Sequence, residues 1–182
     1  MKKTMPLVAI AVLSVLLVNF AIVDNRTANS QEKPKPEIFD VRKDFGGVSD
    51  GKTLNTSAIN EAIKVASADG IKDGVINTVL LPGGILPGYV DYLSFSIQMR
   101  SNVTLQVAEG AWLVAADPRI DGGKYALAEP NPYDLYQDFG HSHWHNSLIW
   151  AENAENIAVV GPGLIWGKGL VSNGNQSRTR EQ

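Results

Sequence analysis

The sequence predicts an all-β fold of solenoid type, entered through one amphipathic helix. From Asn77 onward, short runs rich in β-branched and large apolar residues follow one another: TVLLP, FSIQM, VTLQV, AWLVA, NSLIW, IAVV and LIW. Gly, Pro or Asn separates them, and no helical period intervenes. Two stretches share one grammar. Asn102-Val103-Thr104-Leu105 leads to Gly110-Ala111-Trp112, and Asn156-Ile157-Ala158-Val159 leads to Gly163-Leu164-Ile165-Trp166. A unit of that kind cannot bury its own apolar face and must stack on its neighbours. The two-residue Asn-Gly or Asp-Gly links that join hairpin strands are missing between the runs. A β-sandwich, with hairpin turns every 8 to 12 residues or so, is the competing arrangement.

At 182 residues the chain has room for one domain and a targeting segment. Lys2 and Lys3 precede the apolar run PLVAIAVLSVLLVNFAIV, the charged-then-apolar order of a secretory signal peptide. Residues 1–30 are therefore expected to be a signal peptide with Ala28-Asn29-Ser30 as its small-x-small cleavage site. The run is about as long as the shortest bilayer span, so membrane contact is expected only if the leader is retained as an anchor. This makes the protein secreted, or periplasmic or cell-surface. Residues 31–37, with Pro34 and Pro36, read as a polar linker.

The folded part is expected over residues 38–169. A short strand at 38–41 enters the turn-rich DFGGVSDGKT, where Gly46, Gly47 and Asp50-Gly51 mark turns. Ile59, Ala62, Ile63 and Ala66 then recur at helical spacing; Asn55, Thr56 or Ser57 supplies a cap and Asp69-Gly70 a stop. This predicts a helix of about three turns near 57–68. Residues 170–182 turn polar, without a closing helix or a further repeat, and are expected to be a disordered end to a solenoid truncated after about three coils.

The net charge is −3, and removing the leader makes the rest more acidic. Nucleic acid is thus no expected partner, because a phosphate-binding surface needs clustered Lys and Arg. With no cysteine there are no disulfides, zinc thiolates or cysteine nucleophiles.

The strings FDVRKDFGGVSDGKTLNTSAINEAI, VLLPGG, SNVTLQVAEGAWLVA and HNSLIWAENAENIAVVGPGLIWGKG resemble the N-terminal third of glycoside hydrolase family 28, the polygalacturonases and their relatives. The first string is shared with other pectin-active β-helices, lyase-like and epimerase-like ones included. The last resembles the hydrolases specifically. The resemblance implies a right-handed parallel β-helix with an N-terminal capping α-helix, a pectin-like polysaccharide substrate, no cofactor, and a monomer when full length. One departure is the stretch 85–94, longer than the family's usual link, which leaves the register of the second coil open.

In that family hydrolysis proceeds with inversion, one carboxylic acid protonating the leaving oxygen while opposed carboxylates activate water. The motifs that carry it are Asn-x-Asp, Asp-Asp, Gly-His-Gly and Arg-x-Lys, and none occurs in these 182 residues. No catalytic residue is therefore carried over. A lyase or epimerase on the same fold, or a non-catalytic polysaccharide-binding solenoid, remain the alternatives.

Candidate substrate contacts lie in the long insertion 117–146, since a long loop on a rigid scaffold is usually functional. They are Tyr133, Tyr136, His143, Trp144 and His145. All three histidines fall in HSHWH. With Asp138 the only close carboxylate, they read as local hydrogen-bonding groups and no metal is expected. Trp112, Trp150 and Trp166 lie in strands and read as packing residues, while Asp50 and Glu109 read as turn carboxylates.

Overall fold

A computed structural model describes residues 33–84, 90–130 and 145–170. The runs found in the sequence form strands that pair only in parallel. One sheet stacks β1 (Ile38–Asp40), β2 (Asn77–Leu81), β5 (Val103–Val107) and β8 (Ile157–Val160) in that order. A second stacks β3 (Val90–Ser94), β6 (Ala111–Ala115) and β9 (Leu164–Trp166), and a third pairs β4 (Ile97–Met99) with β7 (Ile149–Ala151). The chain visits the three sheets in rotation. This is a right-handed parallel β-helix, the hand that parallel crossovers take. The sandwich is excluded, because no antiparallel hairpin joins the described strands.

The register explains the repeat. Val79 lies beside Leu105 and Leu105 beside Val159; in the second sheet Tyr92, Leu113 and Ile165 form the matching row. Between neighbouring coils these inward residues are sealed, with Val79, Leu105, Tyr92 and Leu113 all 0% exposed. On the last described coil the same rows stay open, with Val159 and Ile165 each 44% exposed. The repeated asparagines have a backbone reason. Asn102 and Asn156 both take positive φ, 61° and 56°, a conformation that asparagine tolerates better than most side chains. They stack, with Asn156 Nδ2 donating to Asn102 Oδ1 at 2.8 Å.

The helix α2 (Thr56–Asp73) closes the front of the stack. Ile59, Ala62, Ile63 and Ala66 are fully buried against the first coil. Its polar side chains stand where a preceding strand would. Thr56 Oγ1 accepts from the Phe95 amide at 2.8 Å, Asn60 Oδ1 accepts from the Gln98 amide at 2.8 Å, and Asn60 Nδ2 donates to the Ser96 carbonyl at 2.9 Å. Ser67 Oγ reaches the Ser101 carbonyl at 2.7 Å. A bare strand edge invites pairing with other chains, and the helix consumes that edge one group at a time.

Four local expectations need correction. The helix does not stop at Asp69-Gly70 but runs to a left-handed cap at Gly74. Gly70 is there for clearance: a Cβ on it would lie 2.7 Å from the Val75 carbonyl oxygen and 3.1 Å from Asn102 Cβ. The strand expected at 38–41 ends at Asp40, whose carboxylate caps a short helix, α1 (Val41–Phe45), by accepting from the Arg42 and Lys43 amides at 2.9 and 3.0 Å. Within the stretch 85–94, expected to be a long link, residues 90–94 form strand β3, so the second coil's register is fixed through its pairing with β6. Asn55, moreover, does not cap α2 with its side chain. Its amide accepts from the Val48 N–H at 2.7 Å and donates to the Val48 and Thr53 carbonyls at 2.8 Å, holding the DFGGVSDGKT turn closed. Asp50 serves the same turn, taking the Lys52 and Thr53 amides at 2.9 and 2.7 Å; those bonds hold its carboxyl below the usual range.

Outside the second sheet a smaller apolar cluster gathers Leu93, Phe95, Val114 and Ala116, with Tyr125 packed edge-on against Phe95 at 5.1 Å. The Tyr125 hydroxyl donates to the Ala116 carbonyl at 2.7 Å. Burial, then the charges of Asp117 and Asp121, push this phenol up to about 12. The ordinary value is about 10, so the unfolded chain loses this proton first. The contribution is whole below pH 10 or so and is lost as pH rises toward about 12. In urea titrations, Tyr125→Phe is expected to show a shallower fall in midpoint than the parent over that interval; equal slopes would refute the assignment.

Candidate functional site

Strand alternation sends every second residue of the third sheet outward. Ile97 and Met99 of β4 are buried, so Gln98 between them faces out, and across the ladder it stands beside Trp150 of β7. Helix α2 crosses the β4 edge, pinned by Asn60, and brings Ser57, Glu61 and Lys64 to the same side. Together with Ser96, Arg100 and Ala126 these residues line an open groove of about 440 Å³. That volume lies within the usual span of small-ligand sites, about 300 to 1,000 Å³.

Its chemistry is polar, cationic and aromatic. Lys64 pairs with Glu61 at 3.1 Å, with both side chains more than half exposed. An exposed pair of this kind is worth only a few tenths of a kcal/mol, so the ammonium is readily shared with a ligand. Arg100 makes one long contact among the described residues, Nη2 to Gln98 Oε1 at 3.4 Å, leaving most of its donor fork to solvent. Asn60, by contrast, is fully engaged by backbone groups.

His145 packs against Trp150, its ring centroid 4.0 Å from the indole and tilted by 36°. Glu129 accepts the His145 amide at 2.9 Å, and Glu152 Oε2 lies 3.3 Å from the ring Nε2. His145 is therefore held beside the groove's aromatic wall. The other expected contacts, Tyr133, Tyr136, His143 and Trp144, lie outside the described residues. Trp112 and Trp166 meet edge to face at 5.8 Å on the outer side of the second sheet, away from this groove. Trp150, read from sequence as packing, is the strand tryptophan that lines it. Period-two alternation, with Gln98 between Ile97 and Met99, was the available signal for an outward row here. The partnership of Lys64 with Arg100 had none, because it depends on how the helix crosses the sheet.

Among the described residues no three His, Asp or Glu side chains gather as a metal site, and no helix is long and apolar enough to cross a membrane. The apolar leader lies outside them.

No family model matches the chain. It is 31% identical over 128 residues to a probable polygalacturonase of Vitis vinifera, covering 69% of this chain and 24% of that protein. It is 27% identical over 153 residues to an exo-poly-α-D-galacturonosidase of Dickeya chrysanthemi, covering 80% of this chain and 22% of that one. The chain thus spans about a quarter of the length of these curated relatives. Among solved structures it superposes on the family 28 exopolygalacturonase of Yersinia enterocolitica with a TM-score of 0.51 and 31% identity, over 72% of this chain and 20% of that one. Parallel coils under a capping helix, with 31% identity over 69% of the chain, make this chain a relative of the family 28 polygalacturonases.

Proposed function

We propose that the chain supplies the capped first coils of a secreted glycoside hydrolase of the polygalacturonase type, acting on the α-1,4-galacturonosyl bonds of pectin or related bonds. The supporting observation is the parallel coil register of β2, β5 and β8, taken with 31% identity to a probable polygalacturonase over 128 residues. Inverting hydrolysis needs two carboxyl groups about 6.5 to 9.5 Å apart, one to protonate the leaving oxygen and one to activate water. The four motifs that would carry this are absent from the 182 residues. The role of this part is structural and substrate-holding: the cap gives the coils a closed base, and the outward face of the third sheet gives the polymer a track. The lysine-led leader supports export and hence an extracellular substrate.

Purified 182-residue polypeptide is expected to release no reducing ends from polygalacturonate, and measurable release would overturn the assignment of the chemistry to other coils. The hydrolase reading itself is tested by sequencing past codon 182 and assaying the product of the whole reading frame. Asp-Asp and Gly-His-Gly downstream, with reducing-end release, support it. Unsaturated uronate products would favour a lyase, and binding without cleavage a non-catalytic solenoid.

A further inference from the structure

We propose that the groove between α2 and the third sheet is a non-catalytic holding site for an anionic sugar unit, a uronate, with Arg100 as its carboxylate anchor and Trp150 as its stacking wall. This rests on the polysaccharide reading above and adds to it a binding site within the capped coils themselves.

Charge and shape select the ligand. Arg100 and Lys64 come from different elements, a strand end and the capping helix, yet line one groove. Of the two, Arg100 has the less committed fork, and a planar guanidinium matches a carboxylate through two parallel N–H bonds. Trp150 offers an amphipathic ring for the apolar face of a sugar, while the Gln98 amide and the exposed Ser57 hydroxyl suit hydroxyl groups. A nucleic acid strand does not fit, because Glu61 sits in the same groove and the chain as a whole carries −3. A fully apolar ligand does not fit either, with two cations and one carboxylate in the lining. A neutral sugar would use the indole and the amide but leave the guanidinium unanswered.

The groove is built to stay open. Asn60 spends its whole side-chain amide on the Thr56 and Ser96 carbonyls and the Gln98 amide, which fixes the helix against the strand and keeps the two walls apart. On the other side His145 packs on the indole and is itself held by Glu129 and Glu152.

The test is calorimetric titration of the full chain with trigalacturonate and, separately, with uncharged galactotriose. Trigalacturonate is expected to bind about tenfold more tightly than galactotriose, the size of one charge-assisted contact. Arg100→Gln is expected to erase that preference without moving the thermal midpoint, since the residue is exposed; Arg100→Lys is expected to restore part of it. Equal affinity for the two sugars, an Arg100→Gln variant that binds trigalacturonate within twofold of the parent, or no binding at millimolar trigalacturonate would each overturn the site. The outcome is separable from the fate of the hydrolase reading. Arg100-dependent binding in a reading frame that yields lyase products leaves the groove standing, and hydrolysis with no Arg100 dependence does the reverse.

Discussion

Truncating Leu105 to alanine is expected to destabilise the folded chain by about 3 kcal/mol, with the urea midpoint falling accordingly. Leu105 sits at the centre of the first sheet, flanked in register by Val79 and Val159, and is 0% exposed. Removing its branched end forfeits transfer energy and leaves a hole that two stacked coils cannot close, because each is hydrogen-bonded to the other along its length. The companion change is Val159→Ala in the same row. Val159 is 44% exposed, so this variant is expected to cost less than about 1 kcal/mol. Similar losses at the two positions would mean that the row is not the gradient of burial the register implies.

Replacing Asn77 by leucine is expected to cost about 2 to 4 kcal/mol, through hydrogen bonds and not volume. Asn77 is 0% exposed, accepts from the Glu37 amide at 2.8 Å and donates to the Ala66 carbonyl and Asp69 carboxylate at 3.0 and 2.9 Å. One side chain thus joins the strand entering the fold, the first coil and the capping helix. Asn77→Asp makes a sharper test. It keeps the acceptor for Glu37 but sets a second carboxyl against Asp69, so the pair resists losing both protons. A folded-state pKa raised in this way gives stability that is present at low pH and lost as pH rises through it. The thermal midpoint of Asn77→Asp is expected to recover toward the parent between pH 7 and about 4.5; a deficit that is constant across that interval would refute the contact.

What the sequence disclosed follows the range over which each signal acts. The apolar runs and the Asn-strand-Gly grammar were legible because stacking demands them in every coil, and β5, β6, β8 and β9 appear where those strings lie. Gly70 resembles a helix stop in sequence but serves clearance: the Val75 carbonyl, and behind it the loop carrying Asn102, pass too close for a side chain, a constraint the helical period does not encode. Strand β3 was hidden for a similar reason. VDYLS, interrupted by Asp91, looks like link, and only pairing with AWLVA makes it a strand. For the candidate site, the aromatic loop was the visible feature, whereas the groove that the described residues form joins Lys64, Gln98, Arg100 and Trp150, residues far apart along the chain that the helix crossing brings together.

The cap precedes every coil it supports along the chain. As synthesis proceeds from the N-terminus, α2 leaves the ribosome ahead of β2 and every later strand, so Thr56, Asn60 and Ser67 are made before the edge groups they satisfy. Each later coil then settles on a finished floor, with neither partner hundreds of residues away nor an open seam beneath it. Growth from a sealed base in one direction lets a fold made of sequence-distant contacts assemble by adding one layer at a time.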